Sequence, residues 1–217
     1  MIKKLLSYLL PIRLKNYPSG LNGDLEINLV NGKKVLDTSS SNYSFGSLQH
    51  ILERGLKAIA FDQRFQHILV LGMGAGSIVE SVRIRFRSNA LITLVDIDPV
   101  MATIAMEEFG ISRYEGVQVA IHDAEYFLLQ NREQFDLIIV DLFIIATIPE
   151  KFTQRPFIDL LAIHLKAEGS VIYNSIHKTL PAAARQEIID SFRANELAVD
   201  ILEDVAYTND LVIASKK

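Results

Sequence analysis

A chain of 217 residues suits one domain with a small appendage, and 49% apolar with 22% charged residues supplies a substantial core and excludes intrinsic disorder. Twenty-two basic against 26 acidic residues give a net charge of −4, which removes the electrostatic case for a nucleic-acid or anionic-membrane protein, a small basic patch aside. Cysteine is absent, so disulfides, thiolate zinc sites and cysteine nucleophiles are excluded, and a reducing, cytoplasmic setting is expected.

The opening Met1-Ile2-Lys3-Lys4-Leu5-Leu6-Ser7-Tyr8-Leu9-Leu10 begins like a signal peptide. Pro11, Arg13 and Lys15 follow without a small-residue cleavage site, so secretion is not expected. Between Asp24 and Thr38, Leu25, Ile27 and Leu29 alternate with polar residues up to Asn31-Gly32, and Val35 and Leu36 follow. This spacing predicts a β-hairpin closed by a type I′ turn. Ser39-Ser40-Ser41-Asn42 reads as loop, after which Leu48, Ile51, Leu52 and Leu56 recur at helical spacing. Residues 1–65 are thus expected to be an N-terminal β-hairpin and helix appendage.

From His67 the period changes. Ile68 to Leu71 is a short, continuously apolar run ending at glycine, as in a strand buried on both faces. Leu91 to Val95, Val117 to Ile121, Leu137 to Val140 and Ser170 to Tyr173 repeat it. Helical patterns lie between at Ser77 to Phe86, Pro99 to Phe109, Ala124 to Gln130 and Phe157 to Leu165. Such alternation predicts βαβ units and a parallel sheet. Pro181 to Asn195 adds a helix, and Val199 to Glu203 and Leu211 to Ala214 read as closing strands joined by a turn near Asn209-Asp210. The short connection suits an antiparallel hairpin. Residues 66–217 are therefore expected to form an α/β, Rossmann-like, doubly wound and mostly parallel seven-stranded sheet with a C-terminal antiparallel hairpin. That arrangement resembles the class I S-adenosylmethionine-dependent methyltransferases. The longest strongly apolar stretch, Leu137 to Ile148, contains Asp141 and is too short to span a bilayer, so no membrane role is expected.

Open α/β sheets bind ligands beyond the carboxyl ends of their strands, so those ends carry the candidate chemistry. Gly72-Met73-Gly74-Ala75-Gly76-Ser77 follows a buried strand and opens a helix, where glycines permit a sharp turn and close approach of a ligand. Ser77 stands where a dinucleotide fingerprint needs glycine, so a nucleoside with an amino-acid tail fits better than a pyrophosphate. Asp96 lies 20 residues beyond Gly76, the spacing of a carboxylate that accepts both hydrogen bonds of a ribose diol. Asp98 precedes Pro99 and is the natural helix N-cap, leaving Asp96, with Ile97 beside it, to the ligand. In His122-Asp123-Ala124, Asp123 can accept from an adenine amino group or cap the next helix, and the two roles are compatible. Asp141 closes an apolar strand, where an ionised carboxylate is costly unless hydrogen-bonded or facing a cleft. The candidate cofactor-binding residues are therefore Gly72, Met73, Gly74, Gly76, Asp96, Ile97, Asp123 and Ala124, and the candidate catalytic residue is Asp141.

The glycine loop, Val95-Asp96-Ile97-Asp98-Pro99, Asp123-Ala124 and Phe135-Asp136-Leu137-Ile138-Ile139-Val140-Asp141, in that order, resemble the spermidine synthase (polyamine aminopropyltransferase) family. The resemblance implies S-adenosylmethionine or its decarboxylated form as the adenosyl cofactor, a small-molecule acceptor and a homodimer. It gives Asp96 the ribose, Asp123 the adenine, and Asp141 the first acid of the family's Asp-Ser-Ser-Asp-Pro motif. The chain also departs from the family. The glycine-loop acid falls on Ala75, the second acid of the later motif on Ile144 and its proline on Ile145, and Leu48-Gln49-His50 is a poor match to the Tyr-His/Gln-Glu stretch. Those acids hold a cationic diamine, so aminopropyl transfer to putrescine is not expected. His50, His67, His122, His164 and His177 lack metal-ligand spacing, so no metal is expected. Lys33-Lys34 and Arg83-Arg85-Arg87 read as solvated surface, so no nucleic-acid partner is expected. Three readings remain: a transferase, a non-catalytic adenosyl-ligand-binding protein, and a nicotinamide-dependent oxidoreductase, the last weakened by Ser77.

Overall fold

The computed structural model describes residues 2–38, 42–44, 47–144, 147–176 and 179–217. Ser39 to Ser41, Ile145, His177 and the side chain of Leu48 lie outside the described residues. A short helix, α1 (Ile2–Leu6), precedes β1 (Ile12–Ser19), β2 (Gly23–Val30), β3 (Lys33–Thr38) and β4 (Asn42–Ser44), which form a four-stranded antiparallel sheet in chain order. The expected hairpin is β2–β3, and Asn31 and Gly32 take the positive φ values, 50° and 75°, that a type I′ turn requires. Its sheet is larger than the sequence pattern indicated. β1 escapes a period-2 reading because a bulge between Arg13 and Lys15 leaves Lys15 and Asn16 exposed in succession, and Pro18 then tolerates only an edge. Asn42, read as loop, begins β4.

After α2 (Ser47–Ala58), the chain alternates between β5 (His67–Leu71), α3 (Ser77–Glu80), β6 (Leu91–Asp96), α4 (Pro99–Glu107), β7 (Val117–Ile121), α5 (Ala124–Gln130), β8 (Phe135–Val140), α6 (Arg155–Ile163), β9 (Leu165–Ile176) and α7 (Ala182–Ala194). The hairpin β10 (Ala198–Val205) and β11 (Asn209–Ser215) closes it. The seven strands order as β10-β11-β9-β8-β5-β6-β7; the β11 strand alone runs antiparallel to its neighbours. The closing turn is Ala206 to Thr208, with Ala206 and Tyr207 at φ 54° and 64°, and not Asn209-Asp210. Asn209 already pairs with Val205, and both Asn209 and Asp210 are buried.

Alternate residues of the apolar strands serve opposite faces, which is why they lack polar alternation. Ile68, Val70, Ile92 and Leu94 pack with α2, α3 and α4, whereas Leu69, Leu71, Val95 and Ile138 pack with α5, α6 and α7. Each such fully buried aliphatic side chain contributes about 1.5–3 kcal/mol. Leu25, Ile27 and Leu36 of the antiparallel sheet join the first of these clusters. Asp98 ties the two sheets together: it caps α4 by accepting from the Val100 N–H (2.9 Å), as the sequence indicated, and also accepts from the Ser19 hydroxyl and Asn22 Nδ2 (2.8 Å). The strands after β5 proceed towards β7, and β8 opens on the other side, so the crevice of this fold lies where β5 and β8 end.

Candidate functional site

A cleft of about 540 Å³ opens at those strand ends. Gly72 and Gly74 follow β5, Asp96 and Ile97 end β6, Asp123 and Ala124 follow β7, and Asp141 follows β8, and all seven line it. Met73 and Gly76, expected beside them, do not line the cleft. Met73 is buried and offers its backbone N–H to Asp96. Gly76, at φ 77°, begins α3, and a Cβ there would sit 2.6 Å from Ile111 Cγ2, so this glycine serves packing beneath the turn. Gly72 is demanded twice over: its φ is 87°, and a Cβ would meet the Asp141 carbonyl oxygen at 2.1 Å. That closeness brings the ends of β5 and β8 together at the cleft floor.

Asp96 spans the turn. One carboxylate oxygen accepts from the Met73 N–H at 3.0 Å and the other from the Asp98 N–H at 2.9 Å. Asp96 therefore has the structural duty that the sequence reading denied it, yet two oxygens offer about four acceptor positions, which leaves capacity towards the cleft. Burial pushes its carboxyl up to about 6 against the opposing N–H bonds, and the neighbouring Asp98 charge adds to the rise.

Asp123 caps α5, accepting from the Glu125 and Tyr126 N–H groups at 3.0 and 3.2 Å. Its other oxygen pairs with Lys151 Nζ at 2.7 Å, and that ammonium lies 4.8 Å over the Phe152 ring. Nothing in the sequence around Lys151 signals this, because the pairing depends on a connection 28 residues away folding back.

Asp141 heads a relay of buried amides. Asn174 Nδ2 donates to Asp141 Oδ1 at 2.7 Å, Asn209 Nδ2 donates to Asn174 Oδ1 at 2.9 Å, and the Thr208 hydroxyl donates to Asn209 Oδ1 at 2.6 Å. Burial raises the Asp141 carboxyl to about 6, with the Asn174 bond opposing and the charge of Asp96 assisting. Two carboxyls titrating near neutrality in one cleft mark a candidate functional site. Thr208 and Asn209 themselves line the cleft, as do Leu142, Phe143 and Ile144, Ile176 of β9, Ile51 of α2, and Leu21 and Asn22 of the β1–β2 turn.

The positions that depart from the family pattern separate here. Ile144 lines the cleft, whereas Ala75 is buried in the core and does not, so only the former faces a ligand. Gln49 and His50 bond Ser81 and Glu53 and stand apart from the cleft lining. Among the described residues no group of three or more His, Asp or Glu side chains converges as a metal site, and no helix is long and apolar enough to cross a membrane.

The family model for the spermine/spermidine synthase domain matches residues 56–202. Polyamine aminopropyltransferases of Oceanobacillus iheyensis and Vibrio vulnificus are 30% identical over 135 residues and 27% identical over 123 residues. Those alignments take in 56% and 55% of this chain but 24% and 41% of the two proteins, so the chain spans well under half the length of these curated relatives. A probable spermidine synthase from Corynebacterium glutamicum superposes with a TM-score of 0.68 at 18% identity, over 94% of this chain and 79% of that one. A spermidine synthase solved with the transition-state analogue AdoDATO gives 0.64 at 13% identity, over 94% and 72%. Human methyltransferase-like protein 13 with SAH gives 0.59 at 21% identity, over 79% of each chain. At these identities the structural likeness establishes the class I methyltransferase fold.

Proposed function

Because the chain belongs to the spermine/spermidine synthase family, we propose that its cleft binds an adenosyl sulfonium, S-adenosylmethionine or its decarboxylated form, and transfers an aminopropyl or methyl group to a small nucleophile. The observation that carries this reading is the pair Asp96 and Asp141, set on either side of Gly72 in one cleft with both carboxyls raised to about 6. The residues present suit an adenosyl group. Asp96 retains acceptor capacity for a ribose diol, Ile97 and Ala124 offer apolar surface to a base, and Asp123 stands at that end to accept from an exocyclic amine.

The donor, when bound, supplies an electrophilic carbon next to sulfur. The chain's part is to deliver the nucleophile and remove its proton. Asp141, ionised above about pH 6 and oriented by Asn174, accepts a hydrogen bond from the attacking amine and takes its proton as the nitrogen–carbon bond forms and the carbon–sulfur bond breaks, the sulfur leaving as a neutral thioether. A pKa near 6 suits that exchange at neutral pH.

The acceptor we favour is less cationic than putrescine. Among the described cleft residues the acids are Asp96, Asp123 and Asp141, and Asp141 leads directly into Leu142, Phe143 and Ile144 of the apolar lining. A dication entering there loses hydration that one carboxylate replaces poorly. Each missing charge-assisted partner costs about 1.5–3 kcal/mol, so putrescine turnover is expected to fall by about tenfold to a hundredfold for the position held by Ile144.

The test runs in two steps. Calorimetry with S-adenosylmethionine, methylthioadenosine and NAD should show binding of the adenosyl ligands and not of NAD. Methylthioadenosine release is then followed with decarboxylated S-adenosylmethionine and a panel of amines that includes putrescine. Binding without turnover on any acceptor would favour a non-catalytic adenosyl-ligand-binding protein. Putrescine turnover of about one per second, an ordinary enzyme rate, would restore polyamine synthesis and overturn the acceptor argument.

A further inference from the structure

The apolar run at the start of the chain is absorbed neither by the core nor by the cleft. Residues 2–10 form α1 and the turn after it, and of these only Ser7 is buried. Ser7 pins the segment to the β2–β3 turn. Its hydroxyl donates to the Lys4 carbonyl at 2.7 Å and accepts from the Gly32 N–H at 2.9 Å, and its own carbonyl accepts from the Asn31 N–H at 2.9 Å. Two of these three bonds join the segment to the turn, Tyr8 leans over Gly32, and the leucines beside it stay exposed. Ile2, Leu5, Leu9 and Leu10 are 73%, 66%, 80% and 72% exposed, with Leu6 and Tyr8 also exposed. Scattered exposed leucines are ordinary, but six large apolar side chains within nine residues form a patch of the kind that marks an interaction surface.

Cations are interleaved with this patch. Lys3 and Lys4 lie on α1 itself and Lys33 follows the turn that α1 rests on, and none of the three has an ion-pair partner among the described residues. The region is basic in an acidic chain: residues 1–38 carry a formal charge of +3 and the remainder −7.

We propose that this face docks on an anionic lipid surface, with the leucines entering the boundary between headgroups and acyl chains and the three lysines facing the headgroups. Charge selects this occupant. A second copy related by a two-fold would set this basic patch against its own image. The six apolar side chains carry one directional polar atom, the Tyr8 hydroxyl, which suits a fluid boundary better than a shaped protein pocket. The overall charge of −4 does not oppose docking, because surface charges farther than a Debye length, about 8 Å at physiological salt, are screened from the bilayer. The inference is independent of the transfer chemistry assigned to the cleft.

The full chain is to be pelleted with vesicles of phosphatidylcholine alone and of phosphatidylcholine with phosphatidylglycerol, at about 0.15 M salt. Each lysine at an anionic surface contributes about fivefold in affinity, so the three together should favour the anionic vesicles by on the order of a hundredfold. About 1 M salt, with a Debye length of about 3 Å, should remove most of that preference. Leu5→Ser combined with Leu9→Ser should abolish pelleting, whereas Leu129→Ser, at an exposed leucine of α5, should leave it unchanged. All three sites are exposed, and an unchanged melting temperature verifies that each variant is folded. Absence of pelleting, equal pelleting with both vesicles, or pelleting that survives the double substitution would overturn the proposal. So would binding to polyglutamate without vesicle binding, which assigns the face to an acidic protein. A dimer seen by light scattering that the double substitution splits into monomers would assign it to a second copy, and would overturn it equally.

Discussion

Replacing Asp141 by asparagine is expected to make the protein more stable at neutral pH while abolishing transfer. Burial holds the Asp141 carboxyl at about 6, and the nearby Asp96 charge contributes to the rise. A carboxyl raised in this way binds its proton more tightly in the folded chain than in the unfolded one. Its favourable contribution is therefore complete below the unfolded value near 4 and is lost as pH climbs through about 6. A rise of about two units corresponds to about 3 kcal/mol, and water reaching the side chain through the open cleft reduces this to about 1–2 kcal/mol. Asparagine keeps the local bond, since its carbonyl oxygen can accept from Asn174 Nδ2 as the carboxylate does. For a chain of this length, that gain amounts to a rise of about 2–8 °C in melting temperature. Thermal melts of both proteins from about pH 4 to pH 8 should show the variant melting higher near pH 7.5 and the two curves converging near pH 4. A variant that melts at or below the parent near pH 7.5, or a gap that does not change with pH, would refute the account of Asp141 as a carboxylate strained by burial.

Asp96→Ala should weaken methylthioadenosine binding by about 1.5–3 kcal/mol in calorimetry, and unchanged affinity would remove the ribose assignment. Asn174→Leu deletes the bond that opposes the rise of the Asp141 carboxyl, so the acid limb of the kcat profile, expected near pH 6, should move to higher pH; a limb that stays in place would show that Asn174 does not position the acid. Gly72→Ala places a methyl group 2.1 Å from the Asp141 carbonyl oxygen at a φ of 87° and should cost about 3 kcal/mol in denaturant unfolding, combining backbone strain with overpacking. A loss within about 0.5 kcal/mol, the range of an ordinary surface change, would mean that the turn relaxes freely.

The regular part of the fold was legible because it rests on local periodicity. Continuous apolar runs such as Ile68 to Leu71 and Leu137 to Val140 suit strands buried on both faces of a covered parallel sheet, and Asp98-Pro99 supplies a cap and a first-turn proline for a helix. Topology then fixes that Gly72, Asp96, Asp123 and Asp141, each at a strand's carboxyl end, face one crevice. Where a local irregularity breaks the period, the sequence loses its signal: the bulge after Arg13 hides β1, and the left-handed residues Ala206 and Tyr207 carry a turn without glycine or asparagine at either position. The apolar run at Leu5 to Leu10 reads the same whether its side chains point inwards or out, and only the Ser7 contacts with the Asn31-Gly32 turn decide that they point out. The partners that set the chemistry are likewise tertiary. Asn174 reaches Asp141, Asn209 reaches Asn174, and Lys151 reaches Asp123, across separations of 33, 35 and 28 residues, and a hydrogen bond between residues that far apart leaves no mark on the local spacing of either one.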